Sequence, residues 1–162
     1  MRNPFRRSKD ISLEPAPPQQ AREISTLHAK CFNREWGTAE IANLIEQDNV
    51  LCIIAKEVGK PKAAPLAFAM VRMAADEAEI LSIGVDPSER RTGIATKIMD
   101  EITRRLHAER TKMLFLEVDL ANQPAVNLYK QLRFKSIAER PSYYQHDNGE
   151  QSAALVMRLD LV

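Results

Sequence analysis

The chain has 162 residues, of which 44% are hydrophobic and 28% charged. This ordinary globular balance is long enough for one domain with a real core. A net charge of +1 provides no global field that would single out nucleic acid or an anionic membrane as a partner, and no apolar run reaches the roughly 18 residues that a membrane helix needs.

The two cysteines, Cys31 and Cys52, have neither metal-ligand nor redox spacing. No metal is expected, and a reducing cytoplasm is the simpler setting. Residues 1–9 are basic and lack the apolar core of a signal peptide, so they read as a disordered tail ahead of a domain over residues 10–162. Residues 11–14 alternate like a short strand that Pro15, Pro17 and Pro18 end. From Gln19 onward, Ile24, Leu27, His28 and Cys31 recur on one helical face. His28 on that face reads as a packed core histidine. Trp36-Gly37 is a break, and Thr38 reads as the cap of a second helix carrying Ile41, Leu44 and Ile45. Trp36 either sits on the rim of a substrate groove or covers the core.

Residues 50–55, 66–73 and 77–85 read as three strands close in sequence, hence an antiparallel meander. The third strand stops at Asp86-Pro87. A short polar loop with Arg90 and Arg91 follows, and Gly93 opens a strongly periodic helix over residues 93–108 with Ile94, Ile98, Ile102 and Leu106 four apart. A strand, a loop rich in backbone N–H donors and a helix N-terminus make an anion site, because the first-turn amides lack intrahelical partners and the helix dipole favours negative charge there. The glycine allows close approach of a ligand. Residues 113–118 read as a central strand, apolar on both faces and parallel to the strand ending at Val85. Asn122 and Pro124 open a short helix with Ala125, Leu128, Tyr129 and Leu132 on one face. Residues 134–139 read as a strand, 140–150 as a polar loop bearing Tyr143 and Tyr144, and 153–159 as a final strand. The fold class is therefore one α/β domain with a mixed sheet.

Ligands of open α/β sheets bind at the carboxyl ends of parallel strands. One such end carries the phosphate-type loop, and the other carries Glu117 and Asn122. A carboxylate in an otherwise apolar strand is costly unless paired or exposed. Glu117 therefore marks either a general base or an exposed strand end.

These residues resemble a known family. Arg90-Arg91-Thr92-Gly93-Ile94-Ala95 matches the Arg/Gln-x-x-Gly-x-Gly/Ala signature of the GCN5-related N-acetyltransferase (GNAT) superfamily. Leu116-Glu117-Val118, Asn122, Ala125-Val126-Asn127-Leu128-Tyr129, Phe134 and Tyr143-Tyr144 resemble its RimI-type protein N-terminal acetyltransferases, as do Leu27-His28-Ala29, Phe32 and Trp36. The resemblance covers roughly residues 11–160. It implies a mostly antiparallel twisted sheet splayed at two parallel strands and flanked by helices. It implies acetyl-coenzyme A as donor, held by Arg90, Arg91, Thr92, Gly93, Ile94, Ala95, Thr96 and Asn122. Ile83, Gly84 and Val85 would run along the pantetheine arm, with Gly84 allowing close cofactor approach and an N–H near Val85 polarising the thioester. Glu117 would be the general base and Tyr129 the general acid, although Tyr129 also reads as a core-facing aromatic. Trp36, Tyr143 and Tyr144 would contact the substrate.

By the same resemblance the acceptor would be the α-amino group of a protein, an alanine N-terminus on a ribosomal protein in RimI-like enzymes, with the chain a monomer or weak dimer. A lysine or small-amine acetyltransferase and a non-catalytic acyl-coenzyme A-binding module stay open. Two departures stand out. The subfamily usually has Arg where this chain has Asp119, and Gly where it has Arg133. A left-handed conformation at Arg133 would cost roughly 1 kcal/mol.

Overall fold

In a computed structural model, residues 7–34 and 36–162 are described. Most of the expected basic tail, residues 1–6, lies outside the described residues. The chain order is β1 (Ile11–Pro15), α1 (Ala21–Cys31), α2 (Thr38–Ile45), β2 (Val50–Glu57), β3 (Ala67–Ala74), β4 (Glu77–Val85), α3 (Ile94–Ala108), β5 (Met113–Asp119), α4 (Gln123–Gln131), β6 (Lys135–Gln145) and β7 (Gln151–Asp160). The strands form one seven-stranded sheet in the order β1-β2-β3-β4-β5-β7-β6. This is the mixed, mostly antiparallel sheet with one parallel pair that the sequence led us to expect. The chain packs as two compact units, one of residues 1–70 with 82–101 and one of residues 71–81 with 102–162.

In the first unit β1 pairs antiparallel with β2, from Ile11↔Glu57 to Pro15↔Ile53. A 3-10 turn at Pro18–Gln20 precedes α1, which buries Ala21, Ile24, Leu27 and His28. The expected cap at Thr38 is corrected. Thr38 is already helical, and Gly37 is the cap residue, with no side-chain hydrogen bond. The Gly37 carbonyl accepts the first helical bond from the Ile41 amide at 3.0 Å, so the cap falls where no side chain exists to accept a second bond. Ile24, Ile41, Ile53, Ile54, Phe68 and Ile98 are wholly buried in this unit. At the end of the expected tail, Lys9 pairs with the buried carboxylate of Glu89.

In the second unit β4 runs parallel to β5 through Glu77↔Met113, Ala78↔Leu114 and Glu79↔Phe115. Next to β5 lies antiparallel β7, from Met113↔Asp160 to Asp119↔Ala154. β5 is not buried on both faces as expected. Leu114, Leu116 and Val118 are buried, while Met113, Phe115, Glu117 and Asp119 are half-buried. Two carboxylates on one face of a strand require water or partners there, and the alternation follows from that.

The expected loop over 140–150 is also largely strand. β6 continues to Gln145, and only residues 146–150 turn, closed by the His146 amide donating to the Glu150 carbonyl at 2.8 Å. The register slips between Arg140↔Ala154 and Tyr144↔Ser152, so residues 141–143 face a single residue of β7. Pro141 and the left-handed Ser142, φ 54°, hide this segment from any period-two pattern.

α4 opens as expected, with Asn122 Oδ1 accepting from the Ala125 amide at 3.3 Å and Pro124 in the first turn. It ends in a Schellman turn. The Phe134 amide donates to the Tyr129 carbonyl at 2.9 Å and the Arg133 amide to Lys130 at 3.0 Å. Arg133 is the left-handed residue, φ 71°, and the apolar contact typical of this turn is the edge-on packing of Phe134 against Tyr129, 5.7 Å between ring centroids. Arg133→Gly removes the Cβ clash of that conformation. It is expected to raise stability by about 1 kcal/mol, or about 2–4 °C in a melting scan of a chain this size.

Candidate active site

The candidate site residues fall into two groups, one in each unit. In the first unit the end of β4 alternates buried Ser82 and Gly84 with half-buried Ile83 and Val85. The strand stops because Asp86 turns the chain. Its amide donates to the Leu66 carbonyl at 2.8 Å, and its carboxylate accepts from the Ser88 amide and hydroxyl at 2.9 and 2.8 Å. Those bonds to Ser88, helped by the Lys30 ammonium at 3.1 Å, hold the Asp86 carboxyl down at about 2. The Thr92 hydroxyl closes the next turn onto the Glu89 carbonyl at 2.6 Å.

Arg90, Arg91, Thr92 and Gly93 are exposed. Arg91 and Gly93 have positive φ, 63° and 85°, so the backbone here is curled and no regular ladder uses its amides. Where a Cβ on Gly93 would stand, no heavy atom lies within 4 Å. The first helical bond of α3 runs from the Lys97 amide to the Gly93 carbonyl at 3.1 Å. The amides of Ile94, Ala95 and Thr96 precede it and have no carbonyl one turn back. Packing gives Gly84 a reason to be glycine besides the close cofactor approach that was expected. A Cβ there would stand 2.8 Å from Phe68 Cε1 and 3.0 Å from Cys31 Sγ, so the packing of α1 and β3 requires its absence.

In the second unit β5, β7 and β6 present a shared face. Glu117, Val156 and Ala138 form one row across the strands, and Asp119, Ala154 and Arg140 form the next. Two strand spacings are about 10 Å, which the Arg140 and Glu117 side chains span together above Ala154 and Val156. Arg140 Nη2 lies 3.1 Å from Glu117 Oε1, and its guanidinium carbon lies 5.6 Å from the centre of the Tyr143 ring. Asp119 is engaged by the Ser152 hydroxyl, the Ala121 amide at 2.9 Å and His146 Nε2 at 3.2 Å. Tyr143 is exposed and meets half-buried Tyr144 edge-on at 5.2 Å. Burial first, then the negative charge of Glu117, pushes the Tyr144 phenol up. Asn122 is exposed at the start of α4.

Tyr129 is 7% exposed, and burial pushes its phenol up to about 12. The core-facing reading of this side chain therefore holds for its ring, and its hydroxyl keeps its proton at any physiological pH. Trp36 is half-buried and stacks on His28, 4.9 Å between centroids and 16° between planes. His28 is buried among Phe32, Trp36 and Phe68, and burial lowers its pKa. It is the core histidine the sequence suggested.

The Acetyltransferase (GNAT) family model matches residues 21–134. This chain belongs to that family. Among curated proteins it is similar to the [Ribosomal protein bS18]-alanine N-acetyltransferase of Haemophilus ducreyi, 33% identical over 96 residues, 59% of this chain and 66% of that one. The Escherichia coli protein of the same name is 31% identical over 90 residues, 56% and 61% of the two chains. These matches span less than two thirds of the relatives' length. The crystal structure of the Escherichia coli ribosomal-protein alanine N-acetyltransferase superposes with a TM-score of 0.85 at 22% identity, covering 94% of both chains. Arabidopsis thaliana NAA60 in complex with acetyl-CoA gives 0.81 at 17%, covering 93% of this chain and 98% of that one.

The family signature drew attention to Arg90 through Ala95 but not to the residues that hold the loop and the carboxylates in place. Cys31 is one of these. Its thiol donates to the Val85 carbonyl at 3.4 Å, and burial keeps it protonated by raising its pKa. Arg140, His146 and Ser152 are the others. Their signal was the strand pairing of residues 140–154, which the register slip conceals.

The Tyr129 shift has a measurable consequence. A phenol of ordinary pKa 10 that sits at about 12 in the fold binds its proton more tightly when folded. Its contribution to stability is complete below pH 10 and is lost as the pH rises through 12. Tyr129→Phe removes that loss. Between pH 8 and pH 11.5 the variant is expected to gain on the parent by about 2 kcal/mol in denaturant midpoints converted to unfolding free energy.

Proposed function

We propose that the chain transfers acetyl from acetyl-coenzyme A to the α-amino group of a protein, with the donor and acceptor bound together. Family membership supports acetyl transfer, and relatives named for N-terminal alanine and α-amino acetylation support the acceptor class. One observation carries most weight: the exposed Arg90–Gly93 turn heads a 15-residue helix, and the space beside Gly93 is open where a side chain would obstruct a ligand.

That cradle fits a pyrophosphate. In this reading the backbone amides of residues 91–96 hold it, and Arg90 and Arg91 add charge-assisted contacts. The end of β4 at Ile83, Gly84 and Val85 lies along the pantetheine arm, and a Val85 N–H polarises the thioester carbonyl. The bound donor supplies an activated acyl carbon. Glu117 takes the proton that an α-ammonium of pKa about 7.7–8.0 must lose before it can attack. The amide C–N bond then forms and the thioester C–S bond breaks.

Tyr129 serves the departing sulfur as a hydrogen-bond donor. A phenol near 12 is a weaker acid than a thiol near 8.5, so its first contribution is a hydrogen bond to the thiolate rather than complete transfer. Trp36, Tyr143 and Tyr144 contact the acceptor. The setting is the cytoplasm, where the two free thiols stay reduced. A ribosomal protein beginning with alanine is the acceptor by analogy with the bacterial relatives.

A panel of free, N-blocked and lysine-bearing peptides tests the activity. Transfer to free N-termini is expected; acetylation restricted to lysine in blocked peptides would replace this reading with a side-chain acetyltransferase. Glu117→Gln is expected to lower kcat by about 10²-fold or more at neutral pH, read from steady-state rates. For the cradle, Gly93→Val is expected to nearly abolish coenzyme A binding, whereas Arg90→Ala and Arg91→Ala weaken it modestly, measured by calorimetry. Equal small losses from all three would show that the backbone is not the grip.

A further inference from the structure

Resting on the α-amine reading above, we propose that Arg140 is a specificity-determining residue that selects acceptors with a carboxylate at the second or third residue. The argument begins with Glu117, whose carboxylate the guanidinium already engages at 3.1 Å. An acceptor ammonium that approaches Glu117 meets a positive charge beside it. An acceptor that brings its own carboxylate a residue or two behind the ammonium matches the pair sign for sign: ammonium to Glu117, carboxylate to Arg140.

The exposures support this assignment. The Arg140 side chain is 57% exposed and that of Glu117 23%. The second carboxylate on this face, Asp119, is 19% exposed and already engaged by Ser152, His146 and the Ala121 amide. The most accessible charge of this cluster is thus positive. A guanidinium has five donors in a rigid fork, and a single contact to Glu117 does not exhaust them. The register slip that begins after Arg140, with Ser142 left-handed, frees this segment of β6 from its ladder. Tyr143 under the guanidinium limits the orientations it takes. Binding an acidic acceptor also draws Arg140 off Glu117 and leaves the carboxylate free to accept a proton.

The experiment compares kcat/KM for three peptides that begin with alanine and differ only in carrying Glu, Gln or Lys at the second and third residues. For the parent chain the Glu peptide is expected to exceed the Lys peptide by about tenfold, the scale of one charge-assisted bond. In Arg140→Ala the ratio is expected to fall to near one, and in Arg140→Glu to invert. Taking the ratio on each variant cancels any general loss of activity. If Arg140→Ala has no measurable turnover, Arg140→Lys decides: a retained preference supports the assignment, and a ratio of one overturns it. Equal rates for the parent on all three peptides, or an unchanged ratio in Arg140→Ala, overturn the specificity assignment alone. No transfer to any of the three overturns the α-amine reading and this proposal with it.

Discussion

The parallel pairing of β4 with β5 is the constraint from which most of this chain follows. Antiparallel strands can be joined by tight hairpins, but a parallel partner requires a crossover of a dozen or more residues. The segment between Val85 and Met113 is that crossover. It contains the Asp86 turn, the exposed Arg90–Gly93 loop and the 15-residue α3. The curled loop and the open first turn of the helix are therefore products of topology before they are a binding feature. Ile94, Ile98, Ile102 and Leu106 are all buried, so the helix that follows the loop is fixed by its apolar stripe.

The strand order on the other side of β5 has a similar effect. β6 follows α4 in the chain, yet β7 takes the place beside β5 and β6 lies outermost. Ala154 and Val156 of β7 then separate the carboxylates of β5 from Arg140 of β6. Half-buried Glu117 and Asp119 would be expensive if left alone. Each is met from across the sheet, Glu117 by Arg140 and Asp119 by Ser152 and His146. The second carboxylate, Asp119, comes with its own partners near the β6–β7 turn.

Strong periodicity made much of this legible in the sequence. The stripe on α3 and the Asn-x-Pro start of α4 each follow from local rules and appear where those rules place them. Local rules failed where a distant residue decides the outcome. Thr38 looked like a cap because its hydroxyl can accept from a first-turn amide, but the backbone turned one residue earlier. Residues 140–145 looked like a loop because a slip of register breaks alternation. Glu117 was legible as unusual, whereas its partner was not, since nothing local links residue 117 to residue 140. Tyr129 was legible both as a core aromatic and as a proton donor, and its burial supports the first role without removing the second.

The contact around Gly84 bears on how this fold can change. Position 84 lies against Phe68 on β3 and Cys31 on α1, and an added methyl group would overlap both. A chain with alanine there must have a smaller or displaced neighbour at 68 or at 31. The three positions are therefore coupled, and a side chain at 84 is accommodated only by a change in β3 or α1. The thiol that occupies this space also bonds to the Val85 carbonyl. Substitutions on a helix far away in sequence thus have a direct route to the strand end that the coenzyme is proposed to use.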